Sequence, residues 1–280
     1  MDWLTEHPLP IGDNANIAVD WLTNNFGWFF DWLSNVLAAI IDALLWMLET
    51  PHPFVVIAVI AALSFLVRRS IVVTLFTALG LLLIVNLGYW KDTVETLSLV
   101  VAATLVCMVI GVPMGIAAAR RRWIYTIVRP ILDLMQTIPT FVYLIPALIL
   151  FGLGMVPGLV ATVVFAVAAP VRLTRLGIVS TPASLVEAAE AFGATPWQVL
   201  VKIELPYALP QIMAGLTQTI MLSLSMVVIA ALVGADGLGV PVLRALSSMD
   251  IAKGFESGLC IVILAIILDR FFRVPEEERS

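Results

Sequence analysis

Apolar runs close to the length of a membrane span recur along this chain from Phe54 to its last quarter, and they constrain the fold more than any other feature. A helix needs about 20 apolar residues to cross the hydrocarbon of a bilayer. Segments of roughly 10 residues with alternating polarity, which mark a transmembrane barrel, do not occur. Only 12% of the 280 residues are charged and 61% are hydrophobic, whereas a soluble domain is roughly a quarter charged. An all-α integral membrane protein is the expected class.

Spans are expected at 53–67, 70–89, 93–118, 130–153, 156–171, 207–233 and 256–273, about seven in all, the first of them short. Residues 1–52 are acidic and rich in tryptophan, with no basic leader and short apolar core of a signal peptide. Trp21, Trp28, Trp32 and Trp46 alternate there with Asp20, Asp31, Asp42 and Glu49. That pattern predicts an external tail and an amphipathic helix lying at the membrane interface. Four regions are therefore expected: 1–52, accessory spans over 53–90, a core over 91–273, and a short charged tail over 274–280.

Basic residues orient the spans, because short cytoplasmic loops carry the excess of Lys and Arg. With the N-terminus outside, Arg68, Arg69, Arg120, Arg121, Arg122, Arg129, Arg172, Arg175, Lys202, Arg270, Arg273 and Arg279 fall inside. Only Lys91, Arg244 and Lys253 fall outside, a bias of twelve to three. Cys107 and Cys260 lie within apolar runs and read as packing residues, and His7 and His52 have no ligand-spaced companions, so no metal site is expected. No 20–50-residue repeat and no phosphate-binding G-x-x-x-x-G-K-[ST] loop occurs.

One polar segment, Glu187–Pro206, interrupts the apolar pattern and falls on the inside of this topology. Ser184 followed by Glu187 suits a capping box at the start of a short alanine-rich helix. Gly193 suits the left-handed position that ends it. Thr195, Pro196 and Gln198 suit the start of a second helix, closed by Leu205-Pro206 before the next span. The product is a rigid knob with small side chains, either a docking element or a helical loop.

Glu187, Ala188, Ala189, Gly193, Ile203, Leu205 and Pro206 stand at the spacing of the EAA loop, so the segment resembles the coupling loop of ABC importer permeases. The stretch Leu132–Pro146, Arg172-Leu173-Thr174, Met221–Ala230 and Ile263–Arg270 are similar to the glycine betaine, proline betaine and choline branch, over roughly 90–273. The resemblance implies a type I ABC importer permease-like bundle whose 184–206 loop seats in a cytoplasmic ATPase. It also implies a multi-pass protein of a bacterial or archaeal cytoplasmic membrane that works as a pair, a homodimer in this branch. Substrate capture would fall to a separate external binding protein. ATP and magnesium would be held by the ATPase, leaving this chain no cofactor, no catalytic residue and no nucleic-acid partner.

Polar residues inside spans face protein or a wet path. Asp133, Gln136, Thr137 and Thr140 share one helix face of the 130–153 span, which Pro139 and Pro146 interrupt; the face suits a pathway-lining or gating stripe, or interhelical hydrogen bonds with a structural kink. Thr219, Ser223 and Met226 form a row in the sixth span, and Gln218 and Ser225 another; either lines a path or packs. Asp236-Gly237-Leu238-Gly239 is a plain turn or a loop offered to a binding protein. Other readings are an importer of the same architecture for an amino acid or taurine, an ion-coupled transporter using Asp133 and Asp269, and a scaffold without transport.

Overall fold

The computed structural model describes residues 11–272, so the 274–280 tail, the first ten residues and the basic positions Arg273 and Arg279 lie outside it. Among the described residues the chain is helical, with no strand. Helix α1 spans Ile11–Glu49, with a kink at Phe26. Helices α2 (Pro53–Arg68) and α3 (Ile71–Asn86) follow as an apolar hairpin. Next come α4 (Trp90–Arg120), α5 (Arg122–Thr137) and α6 (Thr140–Phe151). Then come α7 (Met155–Ala166), α8 (Ala168–Val179), α9 (Ala183–Ala191) and α10 (Pro196–Val199). A π-helical turn, Leu200–Glu204, runs directly into α11 (Leu205–Ala230). Helices α12 (Gly239–Ser248) and α13 (Ile251–Phe272) complete the chain.

Among the described residues five helical segments are long and apolar enough to cross a membrane, six if the bent α5–α6 pair is one span. The α2 and α3 helices have 16 residues each, about 24 Å at 1.5 Å per residue, which is short of a hydrocarbon core about 30 Å thick. The expected 156–171 span is longer than its apolar run. It continues from Met155 to Val179, past Arg172 and Arg175, because both arginines find partners inside the protein. The N-terminal helix does not lie apart from the bundle. Its Leu37 and Ile41 are buried against Leu99, Ala102, Ala103 and Leu159, while Trp21, Trp28, Trp32 and Trp46 stay exposed.

The centre of the bundle is a three-helix contact among α4, α8 and α11. Gly111 and Gly115 lie four apart on α4 and let α8 approach without a side chain between. A Cβ on Gly111 would stand 2.6 Å from Pro170, and one on Gly115 would stand 2.7 Å from the Val171 carbonyl oxygen. Small residues at this spacing are how helices pack closely where lipid offers no hydrophobic drive. Gly177 on α8 is set equally close to Ala208 on α11, 2.8 Å from its Cβ. The accessory pair packs on α13 through Ile57, Leu81 and Ile84 against Cys260, Ile263 and Ile267. Cys107 and Cys260 are both buried and unpaired.

Candidate functional site

The 184–206 segment projects from one end of the bundle as two short helices, as its turn chemistry predicts, with two differences. The first helix begins at Ala183 after Pro182, so Ser184 sits inside it and makes no capping bond. Pro182 explains this: its fixed φ ends the preceding turn and supplies an extended N-cap backbone two residues earlier than a serine cap at Ser184 requires. The other end matches expectation. Gly193 takes φ +79°, and its N–H donates to the Glu190 carbonyl at 2.9 Å. Thr195 then forms a full capping box with Gln198: the Gln198 N–H donates to Thr195 Oγ1 at 3.3 Å, and the Thr195 N–H donates to Gln198 Oε1 at 2.8 Å.

The second difference is mechanical. Leu205-Pro206 does not close a turn, since α10, the π-helical turn and α11 form one continuous helical path from Pro196 to Val233. Pro206 falls in the first turn of α11, directly after the π-helical turn, and its missing N–H removes one helical hydrogen bond from the path at that junction. Arg120, at the end of α4, braces this path. One of its Nη atoms donates to the Pro196 carbonyl at 3.1 Å and pairs with Glu204 at 2.7 Å. Beneath α9 lies a cavity of about 330 Å³ bordered by Arg120, Ile178, Val186, Glu187 and Glu204.

Of the seven residues expected to dock, Glu187, Ala188, Gly193 and Pro206 are exposed, and Ala189, Ile203 and Leu205 are half-buried toward the bundle. Phe192 and Trp197, which no motif singles out, are the most protruding side chains here, with 94% and 71% exposure. Two large apolar side chains this exposed on one polar segment form a candidate contact surface.

The interruption expected at Pro139 within 130–153 is a full break into two helices. Residues Ile138 and Pro139 are extended, and α5 and α6 meet at a bend of 100°. Pro139 causes the break, because its ring excludes the helical conformation for Ile138 and it has no N–H to donate. Two carbonyls near the end of α5 are satisfied locally. Ile138 N–H and Thr137 Oγ1 both donate to Leu134 O, at 3.1 Å each, and the Tyr143 hydroxyl donates to Met135 O.

Thr140 therefore belongs to a different helix from Asp133, Gln136 and Thr137, and the four do not form one stripe. Asp133 and Gln136 are engaged by one guanidinium instead. Arg172 donates to Asp133 Oδ1 at 2.6 Å and to Gln136 Oε1 at 2.7 Å. Arg129 stands 3.8 Å from the other Asp133 oxygen. Arg175, one turn on, lies flat over the Tyr125 ring at 3.5 Å. Two charged residues three apart inside an apolar run were the visible sign of this site, since such residues need partners; the partners themselves are set only by the packing of α5 on α8.

In α11, Thr219, Ser223 and Met226 are buried in the single chain, with Thr219 Oγ1 bonded to Gly215 O at 2.7 Å. They face the packed interior and not an open surface. The neighbouring row, Gln218 and Ser225, is exposed. The Asp236–Gly239 stretch is a turn docked on the bundle. Gly237, at φ +124°, lies against Thr96, and Thr96 Oγ1 accepts the Leu238 N–H at 2.8 Å.

Residues 111–276 match the family described as binding-protein-dependent transport system inner membrane component. The chain is 47% identical over 262 residues to the glycine betaine transport system permease protein OpuAB of Bacillus subtilis, covering 94% of this chain and 93% of that protein. It is 47% identical over 265 residues to the glycine betaine/carnitine transport permease protein GbuB of Listeria monocytogenes, covering 94% of each. Identity to the glycine betaine/proline betaine transport system permease protein ProW of Escherichia coli is 43%, over 100% of this chain and 74% of the other. Among solved structures, the MetNI methionine ABC transporter in inward-facing conformations is similar, with a TM-score of 0.59 and 25% identity over 66% of this chain and 94% of that one.

Proposed function

This chain belongs to the binding-protein-dependent transport system inner membrane components, the permeases of ABC importers, and from that membership we propose a cargo and a mode of working. The cargo is a quaternary-ammonium osmolyte: glycine betaine, proline betaine or choline. The observation that supports it is the 47% identity, along nearly the whole of both chains, to permeases named for glycine betaine. The permease serves no enzymatic step of its own; ATP and magnesium are bound by a partner ATPase. An external binding protein delivers the substrate, and two copies of this chain enclose the path.

The coupling surface is the α9–α10 knob. Glu187, Ala188, Ala189 and Gly193 meet the ATPase, with Phe192 and Trp197 as the apolar contacts that the partner covers. Ile203, Leu205 and Pro206 carry the displacement into α11 through unbroken helix. The arginine bias puts this knob, Arg120–Arg122 and the C-terminal end in the cytoplasm and the N-terminus outside the bacterial or archaeal cytoplasmic membrane. The path between copies is lined by the α5–α6 bend, including Thr137, Pro139 and Thr140, and by the exposed Gln218–Ser225 row. Thr219, Ser223 and Met226 form the packed layer behind that row, able to repack as α11 moves. An ion-coupled mechanism through Asp133 is disfavoured, because two arginines already neutralise that carboxylate.

The test is uptake of radiolabelled glycine betaine into vesicles holding the permease and its ATPase, with binding protein outside. Uptake is expected to require ATP and to be competed by proline betaine or choline more than by methionine or taurine. Replacing Glu187 and Gly193 is expected to abolish substrate-stimulated ATP hydrolysis while membrane insertion persists. Uptake that survives removal of the ATPase would overturn the proposal, and preferred competition by an amino acid would overturn the cargo.

A further inference from the structure

Helix α5 is held to the bundle in an unusual way. Its apolar contact is a single ridge: Leu132, the one fully buried residue of α5, with half-buried Val128 and Met135 on either side, set against Cys107, Val167 and Val171. A second attachment to α8 is polar and comes from two arginines on one face of α8. Arg172 grips Asp133 and Gln136 at 2.6 and 2.7 Å, and Arg175 stacks on Tyr125 at 3.5 Å. A fork that donates to two acceptors fixes orientation as well as distance, and the stacked guanidinium fixes a second point about two turns away along α5.

Helix α8 is held very differently. Gly111, Gly115, Gly177 and Gly215 let it lie in direct contact with α4 and α11, with no side chain between to yield. It is also joined to α9 by only three residues, Ser180–Pro182. Helices α4, α8 and α11 are thus one rigid block attached to the coupling knob at two places, α8 to α9 and α11 to α10. The α5–α6 pair, with its 100° bend, lies outside that block.

We propose that Arg172 and Arg175 are positioning residues that latch α5 to α8, so that displacement of the α9–α10 knob reaches the bent α5–α6 segment. Asp133 and Gln136 then serve as the catch of this latch and not as contacts for substrate. The proposal rests on the coupling role of the knob, and its test separates the two. Packed elements that move together by a shared polar contact are one recognised route of conformational transmission, and the warrant for it is energetic coupling between the partners.

The experiment measures substrate imported per ATP hydrolysed in vesicles containing permease, ATPase and binding protein, with glycine betaine as probe. Arg172→Gln and Asp133→Asn are each expected to lower that ratio about tenfold, and Arg172→Lys, which keeps the charge but not the fork, less. The double variant Arg172→Gln/Asp133→Asn is expected to be no worse than the poorer single, since each acts through the other. Spin labels at exposed Ile127 on α5 and Val179 on α8 are expected to hold one separation with and without ATP in otherwise unaltered protein. That separation is expected to broaden in Arg172→Lys. Losses that multiply in the double variant, or an unaltered protein in which the labels move apart on ATP binding, would overturn the latch, and the label measurement stands even if Arg172→Gln fails to assemble. Failure of the knob itself reads differently: Glu187 and Gly193 replacements would then leave import per ATP unchanged, whatever the arginine variants do.

Discussion

Gly193 is the residue on which the shape of the α9–α10 knob depends. At φ +79° with no neighbouring atom in the way, its demand is conformational and not steric, so a β-branched residue there pays the left-handed penalty of about 1–2 kcal/mol. Gly193→Val is expected to re-aim α10 relative to α9 and to uncouple ATP hydrolysis from substrate, read as loss of stimulation in the reconstituted complex. Thr195 works one turn later. Its capping box satisfies two amides at the start of α10, and Thr195→Ala is expected to cost about 1 kcal/mol of local stability. Faster limited proteolysis between Gly193 and Gln198, with unchanged thermal melting of the whole protein, is the measurement that checks it. Both positions are legible in the sequence because glycine at a helix end and threonine followed by proline and glutamine are local chemistry. Ser184 misleads for the same reason, since Pro182 supplies a competing local start two residues earlier.

The middle scale belongs to α8, whose neighbours determine what it can transmit. Its contact with α4 across Gly111 and Gly115 has no slack: a side chain at Gly115 meets the Val171 carbonyl at 2.7 Å. Backbone cannot yield as a flexible side chain does, so Gly115→Leu is expected to destabilise by the upper part of the overpacking range, about 3 kcal/mol. A lowered melting temperature and poor membrane yield would show it, whereas Gly12 has open space around it and tolerates alanine. The α5–α6 element makes the complementary point. Pro139 announces an interruption in the sequence, but one helix with a kink and two helices at 100° have the same residue pattern. The angle is decided by Tyr143, which satisfies the Met135 carbonyl, and by Arg172, which holds the last turn of α5. Tyr143→Phe removes one neutral hydrogen bond, about 1 kcal/mol, and is expected to loosen the bend. Increased accessibility of a cysteine placed at Thr137 would report it.

A bundle with an exposed Gln218–Ser225 row and an exposed α6 face, Phe141, Val142 and Ile145, is incomplete as a path by itself, which is why the proposed working unit is a pair. If two copies share one path, coexpressing active chains with Gly193→Val chains is expected to reduce transport as the square of the active fraction. A fall in simple proportion would refute the pair. At this scale the division between sequence and structure is clear. Residue chemistry alone determined membrane residence, the helical class, the existence and polarity of the 184–206 knob and the positions of its glycine and cap, because hydropathy, charge bias and turn chemistry act over a few neighbouring residues. Tertiary structure decided how the α1 helix docks, that the knob runs without interruption into α11, and that Asp133 and Gln136 of α5 answer to Arg172. Those outcomes depend on residues far apart in the chain, such as Arg120 with Glu204 and Arg172 with Asp133, brought together only once α4, α8 and α11 have packed.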